Sequence, residues 1–274
     1  MSLFLLHCEK SPYALPNKAL FSEDTASVFA RIEENNWLRP GSRHQCMSAS
    51  LDKLPSMSLR TLRQCIPIGS IDFVERVLQL AHNIPHITPI VIPKELLSHP
   101  EWLGRRVVFE DSIKKAGEMF ERFRTDEIFL KSTSRLKTNF TGVYGKNDTL
   151  PKTDDTIFFS EPIDIDSEWR AFVFRGDIRD IRCYSGDSWL LPDRQAVTDM
   201  TKAIGDRIPS YTLDVGVTSE GKTVVIEVHN FISCGIYGAY LPLAMYTAAY
   251  RYELRAHELP SPTSSTHAGG AENQ

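Results

Sequence analysis

The chain has 274 residues, 42% hydrophobic and 24% charged, which is the balance of an ordinary globular protein. Its formal net charge of −4 argues against a nucleic-acid coat or a protein that binds anionic membranes. The apolar runs are shorter than a membrane span, and no signal-peptide pattern opens the chain. We therefore expect a cytoplasmic protein of one large or two smaller domains that binds neither nucleic acid nor membrane.

Five cysteines are spread widely along the chain, at Cys8, Cys46, Cys65, Cys183 and Cys234. Their odd number and the absence of a C-x-x-C pair indicate reduced thiols, not a disulfide framework or a zinc site. We expect Cys234 to be a packing residue, because the sequence offers no histidine that can be paired with it as a nucleophile.

Residues 1–112 are predicted to form a first domain of short strands and helices. An apolar run at residues 1–6 is typical of a buried first strand, and helices are expected near residues 24–35 and 70–82. Several proline-containing loops separate these elements. This part of the chain carries no motif that identifies a substrate.

Residues 113–259 are predicted to form a second domain, and residues 260–274, rich in Ser, Thr, Gly and Pro, a disordered tail. A helix over residues 110–124 leads into this domain. The further strands and helices are predicted at residues 128–131, 156–160, 169–175, 177–184, 193–207 and 242–259.

A predicted β-hairpin within this domain carries two acidic residues. With the turn in residues 218–222, Asp214 lies opposite Glu227 and Thr212 lies opposite His229. Directly opposed residues have Cβ atoms about 5 Å apart, and like charges there destabilise the pair. Either the hairpin is a solvated surface element or the two carboxylates hold a cation between them; the flanking apolar residues favour the second interpretation.

The same pattern assigns residues to the two faces of the hairpin. One face carries Thr212, Asp214, Gly216, Glu227 and His229. The opposite face is expected to be apolar, with Leu213, Val215, Val217, Val224, Ile226 and Val228.

Two lysines precede the hairpin in positions that suit a nucleotide. Lys131 ends an apolar strand, and Lys137 follows in a stretch with hydroxyls and a glycine. Two ammonium groups placed in this way could contact phosphates, although a lone lysine is also an ordinary surface charge. No P-loop or dinucleotide-binding glycine motif is present to explain them otherwise.

A linker and a strand supply further polar groups. Pro162 removes a backbone donor next to Glu161 and Ile163, so free backbone groups there could read an adenine edge. Glu168 and Arg170 share one face of the next strand. They form either a weak edge-strand ion pair or a carboxylate for ribose hydroxyls beside a guanidinium for phosphate.

The order of these segments resembles the ATP-grasp superfamily, and most closely a little-characterised bacterial and phage branch of it. The resemblance covers residues 65–238 and includes an Ile-Pro-Ile-Gly-Ser-Ile-Asp-Phe-Val segment at residues 66–74. The remaining segments are Lys-Thr-Asn-Phe-Thr-Gly at residues 137–142, Ser-Glu-Trp-Arg at 167–170, Glu-Val-His-Asn at 227–230 and Ser-Cys-Gly-Ile-Tyr-Gly at 233–238.

The resemblance implies an α+β protein in which an α/β-type pre-ATP-grasp domain precedes a two-lobed ATP-grasp fold whose antiparallel sheets clamp the nucleotide. By position, phosphates would meet Lys131 and Lys137, and adenine and ribose would meet Glu161, Pro162, Ile163 and Glu168.

The resemblance also implies a Mg²⁺ site, with Mn²⁺ as an alternative, held by Asp214 and Glu227. His229 stands where the family has asparagine, and Asn230 follows it, so both are candidates for the third ligand. Imidazole is a poor magnesium ligand, since oxygen donors are preferred.

The implied activity is ATP-dependent ligation of a carboxylate to an amine through an acyl phosphate, with a small molecule or a peptide or protein end as substrate. Arg170 and Lys137 would be the catalytic cations. Two other readings are a nucleotide-binding module without catalysis and a kinase-like transfer to a hydroxyl.

Overall fold

The computed structural model describes residues 2–9, 22–110, 112–136, 138–232 and 234–258. Lys137 and the tail predicted over residues 260–274 lie outside these described residues. Within the described ranges the strands form three sheets, one parallel and two antiparallel.

The N-terminal part alternates strands and helices. Its elements are β1 (Leu3–His7), α1 (Glu23–Leu38), β2 (Gln45–Ala49), α2 (Leu59–Gln64), β3 (Cys65–Ile68) and α3 (Ile71–His82). The strands form a parallel sheet in the order β2-β1-β3, and the predicted first strand and two helices are confirmed. The core of this unit continues into the C-terminal part, because Phe73 of α3 belongs to one apolar cluster with Phe172 and Phe231. Each such fully buried ring contributes about 1.5–3 kcal/mol.

A four-stranded antiparallel sheet follows, in the order β4-β7-β5-β6. The elements of this region are α4 (Lys94–Leu97), α5 (Pro100–Leu103), β4 (Val107–Glu110), α6 (Ala116–Phe123), β5 (Glu127–Ser132), β6 (Gly142–Gly145) and β7 (Ile157–Ser160). The helix predicted from residue 110 begins only at Ala116, because the preceding residues form strand β4 and a short 3₁₀ turn, Ile113–Lys115. Strand β4 pairs with β7, so it belongs to this sheet and not to the parallel one.

The third sheet is also four-stranded and antiparallel, in the order β11-β10-β8-β9. The C-terminal elements are β8 (Ile165–Phe174), β9 (Asp177–Gly186), α7 (Arg194–Ile204), β10 (Ser210–Thr218), β11 (Thr223–Asn230) and α8 (Leu243–Glu258). Every residue of the central strand β10 is buried. One face of the sheet packs against α7 through Trp169, Leu213, Val197 and Met200, which leaves the other face for polar residues.

The predicted hairpin register is correct at the acidic residues and wrong beyond them. Asp214 pairs with Glu227, and Thr212 pairs with His229, as predicted. The register then shifts, so that Val215 pairs with Val225 and Ile226 is the extra residue of a bulge. Ile226 therefore does not share the apolar face and instead lines a cavity with Glu227.

Two other expectations concern thiols and membranes. All five cysteines carry free thiols, as the sequence predicts. Among the described helices, none combines the length and the apolar character that crossing a bilayer requires.

Candidate functional site

Both antiparallel sheets contribute walls to one cavity of about 450 Å³. The first sheet contributes Phe129 and Lys131 from β5 and Phe158 and Ser160 from β7. The second sheet contributes Glu168, Arg170, Asp214, Ile226 and Glu227 from three adjacent strands. The cleft between the sheets therefore collects the strand-borne candidate residues found in the sequence.

Asp214 and Arg170 form a buried ion pair in this cleft. Arg170 donates from Nε to Oδ1 at 2.8 Å and from Nη2 to Oδ2 at 2.7 Å. Asp214 is only 1% exposed. Burial raises the pKa of Asp214 while the hydrogen bonds from Arg170 oppose that rise, and the pairing raises the pKa of Arg170 over the lowering that burial causes. The short, two-pronged geometry is that of a charged guanidinium–carboxylate pair.

The remaining donor and the flat faces of Arg170 are also occupied. Its Nη1 donates to the carbonyl of Gly235 at 3.2 Å. The rings of Tyr184 and Tyr237 stack at 5.5 Å, and the guanidinium carbon lies 5.4 Å from each ring centroid. Two aromatic rings, a carbonyl and a carboxylate thus fix the orientation of Arg170.

The segment after β11 is shaped to approach Arg170 closely. A Cβ atom on Gly235 would lie 3.0 Å from the ring of Tyr237, so only glycine fits without displacement. Tyr237 itself adopts a φ of 48°, in the left-handed region that non-glycine residues rarely occupy. This local geometry explains the Gly-x-Tyr-Gly pattern that the sequence shows at residues 235–238.

Lys131 and Glu227 form the second ion pair of the cleft, between the two sheets. Lys131 ends β5 and donates from Nζ to Oε2 of Glu227, and both side chains are 20% exposed. Burial opposes ionisation of Glu227, but the charges of Lys131, His229 and Arg170 outweigh it and lower the pKa of Glu227. Glu227 is therefore a carboxylate at neutral pH.

His229 lies on the same face as Glu227, two residues further along β11. Its Nδ1 is 2.6 Å from the backbone oxygen of Asn230, and since a carbonyl only accepts, Nδ1 carries the proton. Burial lowers the pKa of His229, so the ring is neutral near pH 7. Its Nε2 then keeps a free lone pair, which can accept a hydrogen bond or bind a cation.

Asn230 lies on the opposite face of β11 and is not brought to the cleft. It is 2% exposed and donates from Nδ2 to Glu253 Oε2 at 2.9 Å and to the carbonyl of Thr88 at 3.4 Å. Glu253 is itself 1% exposed and accepts from the backbone N–H of Thr88 at 2.9 Å. The structure therefore uses Asn230 to tie β11 to α8.

The linker residues line the far end of the cavity. Pro162 and Ile163 contribute to its wall. Glu161 is held by Arg106, whose Nη2 donates to Oε1 at 2.6 Å and whose backbone N–H donates to Oε2 at 2.8 Å. That pairing lowers the pKa of Glu161 and anchors the linker to the start of β4.

Glu168 lies on the cavity wall with Tyr184. Burial raises the pKa of Tyr184, and the carboxylates of Asp214 and Glu168 add to that rise, so the hydroxyl stays protonated. Glu168 pairs with Gly216 across the ladder, where a Cβ atom would lie 2.8 Å from Ile165. Glycine at this position therefore lets Ile165 pack into the cavity wall.

Arg105 is a cavity residue that the sequence analysis missed. Its Nη1 donates to the carbonyls of Leu103 and Val225, each at 2.9 Å, and its Nε donates to Ser160 Oγ at 3.4 Å. Burial lowers its pKa to about 10, which leaves it charged. It links strand β7 of one sheet to the bulge in β11 of the other, and nothing in its sequence surroundings signals this role.

The donor set fits a divalent ion that is shared with a phosphate. Asp214 and Glu227 offer carboxylate oxygens and His229 a ring nitrogen at the same cleft. In the part of the chain that the structure describes, no three acidic, histidine or cysteine side chains converge to hold a metal by themselves. Magnesium commonly takes one or two carboxylates together with substrate phosphates, and such a pair suffices for that arrangement.

A second cavity of about 620 Å³ adjoins the first. Lys131, Arg170 and Glu227 line both cavities, so the two meet at the ion pairs. The second cavity is closed on its other side by the N-terminal unit, through residues that include His7, Asp24 and Ser70. A molecule in either cavity would therefore contact the same charged groups.

Solved structures share this fold. The crystal structure of D-cycloserine synthetase DcsG is 10% identical, with a TM-score of 0.51, and the match covers 93% of this chain and 99% of that one. The ATP-grasp ligase PsnB complexed with minimal precursor is 13% identical, with a TM-score of 0.50 and coverage of 94% and 99%. At these identities the likeness shows the fold alone, and it confirms the ATP-grasp architecture.

The family is shown by a sequence match. No curated protein matches the chain. A family model described as an ATP-grasp domain, the second family of its clade, matches residues 102–245, which is more than half of the chain. That span contains both ion pairs of the cleft, Arg170–Asp214 and Lys131–Glu227. The chain therefore belongs to this family of ATP-grasp domain proteins.

Proposed function

We propose that this protein is an ATP-dependent ligase that joins a carboxylate to an amine through an acyl-phosphate intermediate. One observation carries the proposal: the pairs Arg170–Asp214 and Lys131–Glu227 meet where two cavities join. The cavity between the sheets would hold ATP, and the second cavity would hold the molecules to be joined. Residues 1–112 would act as the substrate-side domain and residues 113–259 as the nucleotide-binding domain.

The nucleotide contacts follow from the cavity wall. Pro162 and Ile163 would meet adenine, with Glu161 fixing the linker, and Glu168 would meet the ribose. Lys131, together with Lys137, would contact the phosphates. Because Lys131 already lies against Glu227, a bound triphosphate would share its ammonium with that carboxylate.

Asp214 and Glu227, with His229 as the third ligand, would hold Mg²⁺ or Mn²⁺, which screens the charge of the phosphates when it is bound. The chain's own cations do the rest. Arg170, fixed by Asp214 and two tyrosine rings, would orient the terminal phosphate, and Lys131 would neutralise it. Removing one such preorganised group typically lowers kcat about 10²–10³-fold.

The reaction has two balanced steps. A carboxylate oxygen of the substrate attacks the terminal phosphorus of ATP, the bond to the bridging oxygen breaks, and ADP leaves. An amine nitrogen then attacks the acyl carbon, phosphate leaves with the electrons of the carbon–oxygen bond, and the nitrogen loses a proton. The products are an amide, ADP and inorganic phosphate.

The test is an analysis of products. The protein is incubated with ATP, Mg²⁺ and pooled amino acids and short peptides, with Glu227→Gln as the control. We expect ADP and phosphate in equal amounts with the native chain only, and hydroxamates when hydroxylamine replaces the amine. Formation of AMP, or no turnover with any pool, would contradict the proposal. ADP without free phosphate would show transfer to a hydroxyl.

A further inference from the structure

Asp24 is a carboxylate of the second cavity that the proposed chemistry does not use. It lies in the first turn of α1, is partly buried, and lines the 620 Å³ cavity. Its Oδ2 accepts a hydrogen bond from the backbone N–H of Ile236 at 3.2 Å. Among the residues that the structure describes, no lysine or arginine forms an ion pair with it. Burial raises its pKa, so its ionised form lacks compensation.

The charges around this cavity leave a deficit of cations. Arg170 and Lys131 also line it, but each is already paired, with Asp214 and Glu227 respectively. The two lining histidines add no charge near pH 7, because burial lowers the pKa of both His7 and His229. Glu9 at the exposed edge adds a second carboxylate. A ligand that balances this cavity is therefore cationic.

Asp24 lies near the reacting groups. The charge of Arg170 lowers the pKa of Asp24 against the effect of burial, which places the two side chains within electrostatic reach. The backbone that Asp24 binds, at Ile236, directly follows Gly235, whose carbonyl accepts from Arg170. A cationic group held by Asp24 would therefore lie beside the position proposed for the acyl phosphate.

The cavity continues as a groove to the surface. A further cavity of about 440 Å³ shares Val28, Ile236 and Tyr246 with it. This groove runs along α1 between apolar side chains and ends at Tyr240, which is 59% exposed. At that end Arg31 lies 3.5 Å from the Tyr240 ring centroid and pairs with Glu34 at 2.6 Å. The two cavities together offer more room than one amino acid fills.

We propose that the amine substrate is the free amino end of a peptide, that Asp24 binds its ammonium group, and that the following residues lie in the groove along α1. The proposal rests on the proposed ligase function for the fate of the amine, but binding can be tested without turnover. The apolar walls formed by Val28, Leu241 and Leu243 favour apolar side chains in the peptide.

The experiment is affinity selection followed by mass spectrometry. The full chain, with Mg²⁺ and a non-hydrolysable ATP analogue, is mixed with equimolar pools of amino-acid amides and of tetrapeptides, each with a free or an acetylated amino end. We expect the free tetrapeptides to be retained, and retention to fall about tenfold or more on acetylation, as for the loss of a charge-assisted hydrogen bond.

Two variants of the same helix turn sharpen the test. Asp24→Asn removes the charge but keeps an oxygen for the Ile236 N–H, and it should reduce retention about as much as acetylation does. Glu23→Gln removes a charge from the adjacent, exposed position outside the cavity and should leave retention unchanged. Equal melting temperatures of the three proteins show that the fold is intact.

Several outcomes would overturn the proposal. They are equal retention of acetylated peptides, equal retention by Asp24→Asn, retention of amino-acid amides alone, and retention of nothing. The ligase proposal stands or falls separately in the ADP and phosphate assay. Peptide binding without ADP formation would contradict only that proposal, and ligation of an amine that binds equally well to Asp24→Asn would contradict only this one.

Discussion

Asp214 pairs with Arg170 on one side and with Glu227 on the other, in a row that runs across the C-terminal sheet and ends at Arg182. Two carboxylates are therefore followed by two guanidinium groups on neighbouring strands. Adjacent like charges destabilise a sheet. The arrangement holds because Arg170 neutralises Asp214, while Lys131 from the other sheet neutralises Glu227.

Replacing Arg170 by Met should destabilise the protein strongly. The change leaves the buried carboxylate of Asp214 without its two hydrogen bonds. Breaking a buried pair from one side costs about 3–5 kcal/mol, measured as the free energy of unfolding in urea.

The matched control for this change is Arg182→Met, at the directly paired position on β9. Arg182 binds Asp180 at 2.7 Å but is 42% exposed, so its loss should cost less than about 1 kcal/mol. Equal destabilisation by the two substitutions would show that the Arg170–Asp214 pair has no special role in stability.

His229 and Asn230 should separate metal binding from stability. His229→Ala removes a side chain that faces the cleft, and we expect weaker binding of Mn²⁺ in the presence of an ATP analogue, measured by calorimetry. Asn230→Ala removes a hydrogen bond to Glu253 in the core. It should lower the free energy of unfolding by about 1–3 kcal/mol and leave metal affinity unchanged. The reverse result would make Asn230 the ligand.

Arg105→Met should affect both stability and nucleotide binding. The substitution leaves the carbonyls of Leu103 and Val225 without a donor, at a cost of about 1–3 kcal/mol. Because Arg105 links the bulge in β11 to the wall of the proposed ATP cavity, we expect KM for ATP to rise more than kcat falls. Arg122→Met, at an exposed position of α6, is the control and should change neither quantity. An unchanged KM in Arg105→Met would contradict the linking role.

His82 should make stability depend on pH. Its ring packs on Tyr250 and lies 3.1 Å from the hydroxyl, and burial followed by the charge of Arg63 lowers its pKa. The unfolded chain therefore binds the proton first as the pH falls below the ordinary value of 6.5, and stability decreases on acidification.

Urea unfolding at pH 7, 6 and 5 measures this effect. In His82→Gln the slope of stability against pH should be smaller by a fraction of one proton. His86→Gln, at an exposed position, should leave the slope unchanged. An unchanged slope in His82→Gln would show that burial does not disfavour protonation of His82.

The sequence predicts the hairpin correctly where residue types alternate and wrongly where they do not. Asp214, Glu227 and His229 follow a period of two, so their pairing and shared face could be predicted. Val224, Val225 and Ile226 form a uniformly apolar run that fits either register. The bulge at Ile226 was therefore invisible in the pattern, although it turns this side chain into the cavity wall.

Other features depend on contacts between distant segments. Strand β4 is short, and only its pairing with β7, some 50 residues later, reveals that it belongs to the second sheet. The partners of the site residues are equally remote in sequence: Lys131 with Glu227, Arg105 with Val225, and Asp24 with Ile236. Charge and periodicity identify which residues are unusual, but they do not identify which residues meet.

The central claim is that Asp214 and Glu227 together hold a divalent ion beneath a bound triphosphate. Anomalous diffraction at the manganese edge, from crystals grown with Mn²⁺ and a non-hydrolysable ATP analogue, tests it directly. The account predicts a manganese peak within bonding distance of both carboxylates and of the phosphate oxygens, and its loss in Glu227→Gln. A peak elsewhere, or one that persists unchanged in Glu227→Gln, would contradict the account.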